Sequence, residues 1–232
     1  MAKPVCAVVG VGPGNGKAFA KRFAKEGYQV ALLSRSTDYS EKLAAELEDA
    51  KAYACDVTDA VAIERAFAQI RDDLGDVDVL LYNAGSGTFG PFDQVSDAQF
   101  EASWRINTLG LLQSARAVIG PMRERGTGSI LITGATASLR GKPFTTAFAS
   151  AKAAQRSLAQ SLARTLWPDG IHVALVIVDG VIDLPRSREG SDKPDDFYIK
   201  PADIAHIMFH LAGQPKSAWS FEVEARPFGE NW

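Results

Sequence analysis

The chain has 232 residues, 46% hydrophobic and 23% charged, with a formal net charge of −3 and a pI near 5.7. These values suit one soluble domain with a large interior and leave nothing over for a second core. They exclude a non-specific nucleic-acid binder, which needs a basic stripe to neutralise phosphates. Met1–Pro4 runs straight into an apolar strand, so no signal segment is expected there. No apolar run approaches the ~20 residues of a membrane span, so a cytoplasmic protein without membrane or nucleic-acid partners is expected.

Val5 to Val9 reads as a buried strand. Lys17 to Glu26 reads as a helix with Phe19, Phe23 and Ala24 on one face, stopped by Gly27. Gln29 to Leu33 is the second predicted strand, followed by a helix over Ser40 to Ala50 and a third strand over Ala52 to Cys55. Thr58 is expected to cap a helix that carries Val61, Phe67 and Ile70 inward. Val77 to Tyr82 is the fourth strand. Ser96 and Gln99 form a reciprocal cap that opens a long helix running to Arg125. The remaining predicted elements are a strand over Ile130 to Thr133, a helix over Thr145 to Leu166 and a strand over Val173 to Val178. A helix begins at Pro201, where the missing N–H costs nothing, and a last strand covers Phe221 to Val223.

Continuous apolar strands separated by helices predict an α/β fold, a doubly wound parallel sheet of about seven strands with helices on both faces. Residues 1–232 form its single domain. The irregular stretch Asp179 to Lys200 follows the carboxyl end of a central strand, where such sheets bind ligands, and is predicted to be a substrate lid. Cys6 and Cys55 are expected to be reduced and buried. His172, His206 and His210 make no ligand set, so they are given surface or rim roles and no metal is expected.

The segment Gly10-Val11-Gly12-Pro13-Gly14-Asn15-Gly16 lies between the first strand and the first helix. Free N–H groups, a positive dipole end and missing side chains there suit a pyrophosphate. Ser34-Arg35 ends the second strand. An acid at that place would bind a ribose 2′-hydroxyl, whereas arginine can grip a 2′-phosphate with two N–H bonds; NADP is therefore expected over NAD.

These residues resemble the short-chain dehydrogenase/reductase family, whose fold is Rossmann-type. Gly10, Gly14 and Gly16 match its cofactor spacing, with Val9 where threonine is usual. Asp56-Val57 resembles its adenine-contacting segment, Asn83-Ala84-Gly85 its strand end, and Asn107-Thr108-Leu109-Gly110 the segment carrying its active-site asparagine. The resemblance implies cofactor contacts from Gly10, Gly14, Asn15, Gly16, Ser34, Arg35, Asp56, Val57, Asn83, Ala84, Gly85, Lys152, Gly180 and Ile182. It also implies a small-molecule substrate and a homodimer or homotetramer. Ala115, Val118, Leu158, Leu162 and Leu166 could serve such an interface or face the sheet.

Phe148-Ala149-Ser150-Ala151-Lys152 falls where the family has Tyr-x-x-x-Lys, and Ala135 falls where it has serine, thirteen residues before the tyrosine. Asp179 replaces a proline, and Leu184 a threonine that touches the nicotinamide amide. Lys152 can still hold the nicotinamide ribose, and Asn107 would organise a water linked to that lysine. The proton must then come from another group; Ser138 and Asp179 are the first candidates, with Thr136, Thr145, Thr146, Ser150 and Asp183 behind them. Phe144, Phe148, Phe197 and Tyr198 suggest an apolar ligand. Two functions stay open: an NADP-dependent oxidoreductase with a non-standard proton donor, and a silent NADP-binding sensor or partner subunit.

Overall fold

The computed structural model describes residues 2–229; Met1 and residues 230–232 of the predicted domain lie outside the described residues. The sheet is built from β1 (Val5–Val9), β2 (Gln29–Ser34), β3 (Ala50–Ala54), β4 (Val77–Tyr82), β5 (Gly128–Ala135), β6 (Ile171–Val178) and β9 (Glu222–Ala225). Their spatial order is β3-β2-β1-β4-β5-β6-β9, and every neighbouring pair is parallel. The chain winds outward from β1 in one direction and resumes from β4 in the other. A crevice opens at the carboxyl ends of those two strands, where side elements diverge.

Helices cover both faces, as an all-parallel sheet requires. On one face α3 (Ala60–Leu74), α5 (Gly110–Arg125) and α6 (Thr146–Leu166) bury Ile63, Phe67, Leu111, Val118 and Ala159. On the other α1 (Asn15–Lys25), α2 (Asp38–Ala45) and α8 (Pro201–Ala212) bury Phe19, Phe23, Leu43, Ile204 and Met208.

Several boundaries differ from the sequence reading for identifiable reasons. Helix α2 stops at Ala45 because β3 already pairs at Ala50 with Val30, and Asp49, at φ +55°, turns the chain between them. Asp59, not Thr58, caps α3, accepting from the Val61 N–H at 2.9 Å. Val61 is 68% exposed, because the inward phase of α3 is Ile63, Ala66, Phe67 and Ile70. His172 is not a rim residue. It is buried, with Nδ1 3.0 Å from the Leu211 carbonyl and Nε2 2.9 Å from that of Ser220. Cys6 and Cys55 are free and buried.

The long helix expected from Ser96 is interrupted. After α4 (Asp97–Trp104), which the Ser96–Gln99 capping box opens, Arg105–Leu109 forms one widened π-turn before α5. Such turns insert an extra residue and re-aim side chains, often at functional sites; Asn107 lies inside this one, fully buried.

The stretch after β6 is folded rather than structureless. It holds the short parallel pair β7 (Val181–Ile182) and β8 (Tyr198–Ile199) and the single turn α7 (Pro185–Arg188). Arg188 clamps both oxygens of Asp183, at 2.7 and 2.9 Å, and lies over the Tyr198 ring. Ala115, Val118 and Leu166 are buried within the chain and Leu158 and Leu162 pack against the same core, so that stripe faces the sheet.

Candidate active site

The glycine turn closes under steric pressure. Gly10 has φ +94°, and a Cβ there would stand 2.5 Å from the Ala84 nitrogen; one on Gly16 would stand 2.7 Å from the Gly10 carbonyl. Asn83 completes the contact by donating from Nδ2 to the Gly10 carbonyl at 2.8 Å. Two of the three motif glycines thus let the turn, β4 and α1 approach one another. Gly14 is approached by Leu184 of the segment after β6, whose Cδ2 lies 3.2 Å from the Cβ position. The N-terminus of α1 has no side-chain cap and no acid in its first turn, and Asn15 Oδ1 is buried without a partner. Those N–H groups are available to an anion.

From this turn a cleft of about 1100 Å³ runs past Ser34, Arg35, Asp56, Val57 and Thr58 to Asn83, Ala84 and Gly85, with Ile182, Leu184, Pro185 and Arg186 along one lip. Ser34 spends its hydroxyl inside the β2–α2 turn, donating to the Ser36 carbonyl at 2.8 Å and contacting Ser40 Oγ at 2.9 Å. Arg35 is exposed, with no hydrogen bond or ion pair among the described residues. Asp56 Oδ1 accepts from the N–H and hydroxyl of Thr58, at 2.9 and 2.8 Å. The backbone bond is the main reason its carboxyl sits below the usual range, with Arg35 adding to it. Gly180 packs against Pro227 and Ile199, away from the cleft lining, while Ile182 lies in it.

At the other end, Lys152 and Asn107 meet behind Gly85. A Cβ on Gly85 would lie 3.3 Å from Asn107 Oδ1 and 3.8 Å from Lys152 Nζ. Asn107 Oδ1 is buried without a partner, while its Nδ2 donates to the Ser103 carbonyl at 2.8 Å. Lys152 Nζ donates to the Thr133 carbonyl and to Gln155 Oε1, both at 2.9 Å. Burial brings its pKa down to about 7. Gln155, fully buried, accepts from Lys152 and donates from Nε2 to the Asn107 carbonyl at 2.9 Å.

Phe148 presents its ring 6.0 Å from Lys152 Nζ and packs on Phe89 with ring centroids 5.3 Å apart and planes tilted by 53°. Phe89, Phe92 and Phe144 are exposed nearby in chain order, the Gly90 N–H donating to the Phe144 carbonyl at 2.8 Å. Phe89 and Gln155 both escaped the sequence reading. Phe89 sits in an irregular loop without periodicity. Gln155, a polar residue in phase with Lys152 on an otherwise alanine-lined helix face, was the visible signal.

The expected substitute donors are engaged elsewhere. Ser138 donates to the Ala135 carbonyl at 2.7 Å. Asp179 accepts from Thr136 and is ion-paired with Arg226. Thr145 donates to the Lys142 carbonyl at 3.0 Å, Ser150 to that of Thr146 at 2.7 Å, and Asp183 is held by Arg188. Tyr198 is buried, with Oη 2.6 Å from Ser191 Oγ, and so ties the segment after β6 together from within. Among the described residues no cluster of His, Cys, Asp or Glu could hold a metal, and no helix is long and apolar enough to cross a membrane.

A glycine turn at the switch point of a doubly wound parallel sheet defines a nucleotide-binding α/β protein. The family profile described as short chain dehydrogenase matches residues 4–192, and the chain belongs to that family. It is 30% identical over 189 residues to 17-beta-hydroxysteroid dehydrogenase type 1 of Homo sapiens, covering 76% of this chain and 56% of that enzyme's length. It is 32% identical over 230 residues to 2,3-dihydro-2,3-dihydroxybenzoate dehydrogenase of Bacillus subtilis (strain 168), covering 89% of this chain and 88% of the relative. The alcohol dehydrogenase of the archaeon Thermococcus sibiricus, solved with 5-hydroxy-NADP, superposes with a TM-score of 0.89 at 28% identity over 99% of this chain and 98% of that one.

Proposed function

We propose that this protein is an NADP(H)-dependent oxidoreductase of a small carbonyl or alcohol of apolar character, with a proton source other than a serine–tyrosine pair. The observation that carries the reading is one cleft of about 1100 Å³ leading from the uncapped N-terminus of α1 to Gly85, behind which Lys152 Nζ and the orphaned Asn107 Oδ1 converge.

The residues fit a nicotinamide dinucleotide. The first N–H groups of α1, with Gly10, Gly14, Asn15 and Gly16, would hold its pyrophosphate. Asp56 and Val57 would border the adenine. Arg35, which has no hydrogen bond or ion pair among the described residues, would grip a 2′-phosphate, while the internally bonded Ser34 would shape the turn that presents it. Asn83, Ala84, Gly85, Ile182 and Lys152 would face the nicotinamide half, with Gly180 setting the lid backbone. When bound, such a cofactor supplies or accepts a hydride. Phe148 and Phe89 offer an apolar platform for the substrate, and Leu184 closes the lid over Gly14. Lys152 and Asn107 are the polar groups nearest the reacting end.

The test is NADPH absorbance against a panel of aromatic and aliphatic ketones and aldehydes, with dissociation constants for NADP and NAD. Turnover of at least one carbonyl, and NADP bound at least ~10-fold tighter than NAD, are expected; that ratio is about 1.4 kcal/mol. Stoichiometric binding without turnover would favour the silent binding protein. Equal affinity for NAD would remove the NADP assignment. A homodimer or homotetramer is also proposed; with the α5–α6 stripe facing the sheet, Phe100 and Trp104 of α4 are its exposed apolar candidates. Light scattering showing a monomer alone would refute it.

A further inference from the structure

We propose that Lys152 itself delivers the proton, directly or across a single water, and that Gln155 is the positioning residue that aims it. The inference rests on the oxidoreductase reading above. It goes further by assigning the proton that neither Phe148 nor Ala135 can give.

Elimination is the first step. The hydroxyls of Thr136, Ser138, Thr145 and Ser150 each donate to a fixed acceptor, and the carboxylates of Asp179 and Asp183 face guanidinium groups. Thr146 has no hydrogen bond of its own among the described residues, but it stands two residues from Phe148 and so on another side of the helix. An ammonium carries three N–H bonds. Lys152 uses one on the Thr133 carbonyl and one on Gln155 Oε1, and no described residue takes the third. The nitrogen lies against the Gly85 wall of the cleft.

The second step is the cost of Gln155. A buried amide is destabilising unless both ends are satisfied. Here both are, one by the lysine and one by the Asn107 carbonyl, so α6 is tied to the π-turn through the very atoms that fix Nζ. A carboxamide does not pass protons along as a water does. The lysine is therefore fixed from behind by Thr133 and Gln155, and on its other side only Gly85, which lines the cleft, is in reach.

In the forward step the N–H bond of Lys152 breaks as the O–H bond of the product alcohol forms, and the carbonyl carbon takes the hydride that a reduced nicotinamide dinucleotide supplies. The amine left behind regains a proton from water entering the cleft. Groups facing Nζ are the Thr133 carbonyl from β5, the Gln155 amide and Phe148 ring from α6, the Asn107 carboxamide from the π-turn and Gly85 beyond β4. None is charged, and burial alone sets the amine near 7.

The experiment pairs a titration with kinetics. In the cofactor-free protein, the Lys152 side chain is followed by NMR of ¹³Cε-labelled lysine, assigned by Lys152→Met. Its midpoint should fall near 7, and kcat for carbonyl reduction at saturating NADPH should fall as pH rises through the same value. Gln155→Glu places a negative charge against the amine and should raise both midpoints together by about one unit or more. Gln155→Leu should lower both. Should the leucine variant not fold, the isosteric glutamate decides. Lys152→Met should lose ~10²–10⁴ in kcat. A kinetic midpoint that stays in place while the NMR midpoint moves, or a Lys152→Met enzyme with parental kcat, overturns the proposal and leaves the oxidoreductase reading standing. NADPH binding with no turnover by the parent overturns both.

Discussion

The two ends of the cleft hold their function in different ways. At the β1–α1 end it resides in backbone: Gly10, Gly16, Asn83 and Ala84 are close-packed, and there is no room for a side chain at either glycine. At the β5–α6 end it resides in side-chain groups. There the buried Lys152 of α6 reaches the Thr133 carbonyl of β5 through its side chain, with the Phe148 ring beside it. Backbone geometry that builds the fold cannot drift without unmaking it, whereas a terminal hydroxyl can be lost at little cost to packing. On the function proposed above, the proton chemistry at the second end is therefore freer to vary than the backbone turn at the first.

The sharpest way to break that contrast is at Gly10. Gly10→Ala combines positive φ with a 2.5 Å overlap on the Ala84 nitrogen. A non-glycine residue forced there costs ~1–2 kcal/mol before the clash is counted, so dinucleotide binding should fall at least ~100-fold or the fold should fail. Gly12→Ala is the control, since nothing lies within 4 Å of its Cβ position. Thermal melts and NADPH dissociation constants check both. Equal damage from the two would mean that the cradle is not sterically set.

Next in size comes the other end. Phe148→Tyr with Ala135→Ser restores two hydroxyls on an intact frame and should raise kcat for simple ketones ~10²-fold or more. The melting temperature should barely move, because one polar atom is added to a half-buried ring. Unchanged kcat would place the limitation in lid opening or substrate fit.

What the sequence disclosed divides along the same line. Strand β4 was legible to the residue, and the Ser96–Gln99 cap and the Pro201 start were found because capping chemistry is local. The π-turn at Arg105–Leu109 was not legible, since the helical pattern runs on through it, and the tight approach of Gly110 to Tyr82 and Val57 just after it is a tertiary contact. Val61 was misplaced because it lies six residues before Phe67 and so off the face that Phe67 and Ile70 share with Ile63. The glycines that let the β1–α1 turn, β4 and α1 approach one another could be named from spacing. Gln155 could not, because its partners come from Asn107, 48 positions away in the chain, and from a lysine whose neighbours only the fold supplies.

Burial of Lys152 gives a smaller and separate test. Its folded pKa of about 7 lies below the unfolded value of 10.5, so the unfolded chain binds the extra proton between those values. The cost to stability is fully present below about 7 and fades as pH rises toward 10.5. Lys152→Met should accordingly raise the melting temperature by several degrees at pH 6 and by much less at pH 10. An advantage independent of pH would show that the amine is not desolvated in the folded state.

The finest distinction is made by Arg35, a single exposed charge at the backbone-built end. A 2′-phosphate gripped by a guanidinium in a half-open cleft is screened by solvent, so Arg35→Ser should weaken NADP by only ~10-fold, about 1.4 kcal/mol. NAD affinity should stay within twofold, because NAD has no phosphate at that position. The difference should shrink with added salt, since the Debye length falls from about 10 Å at 0.1 M to about 3 Å at 1 M. Equal loss for both cofactors would move Arg35 from selecting the phosphate to holding the β2–α2 turn. In that case the neighbouring lip residue Arg186, exposed on the same cleft, becomes the cation to vary.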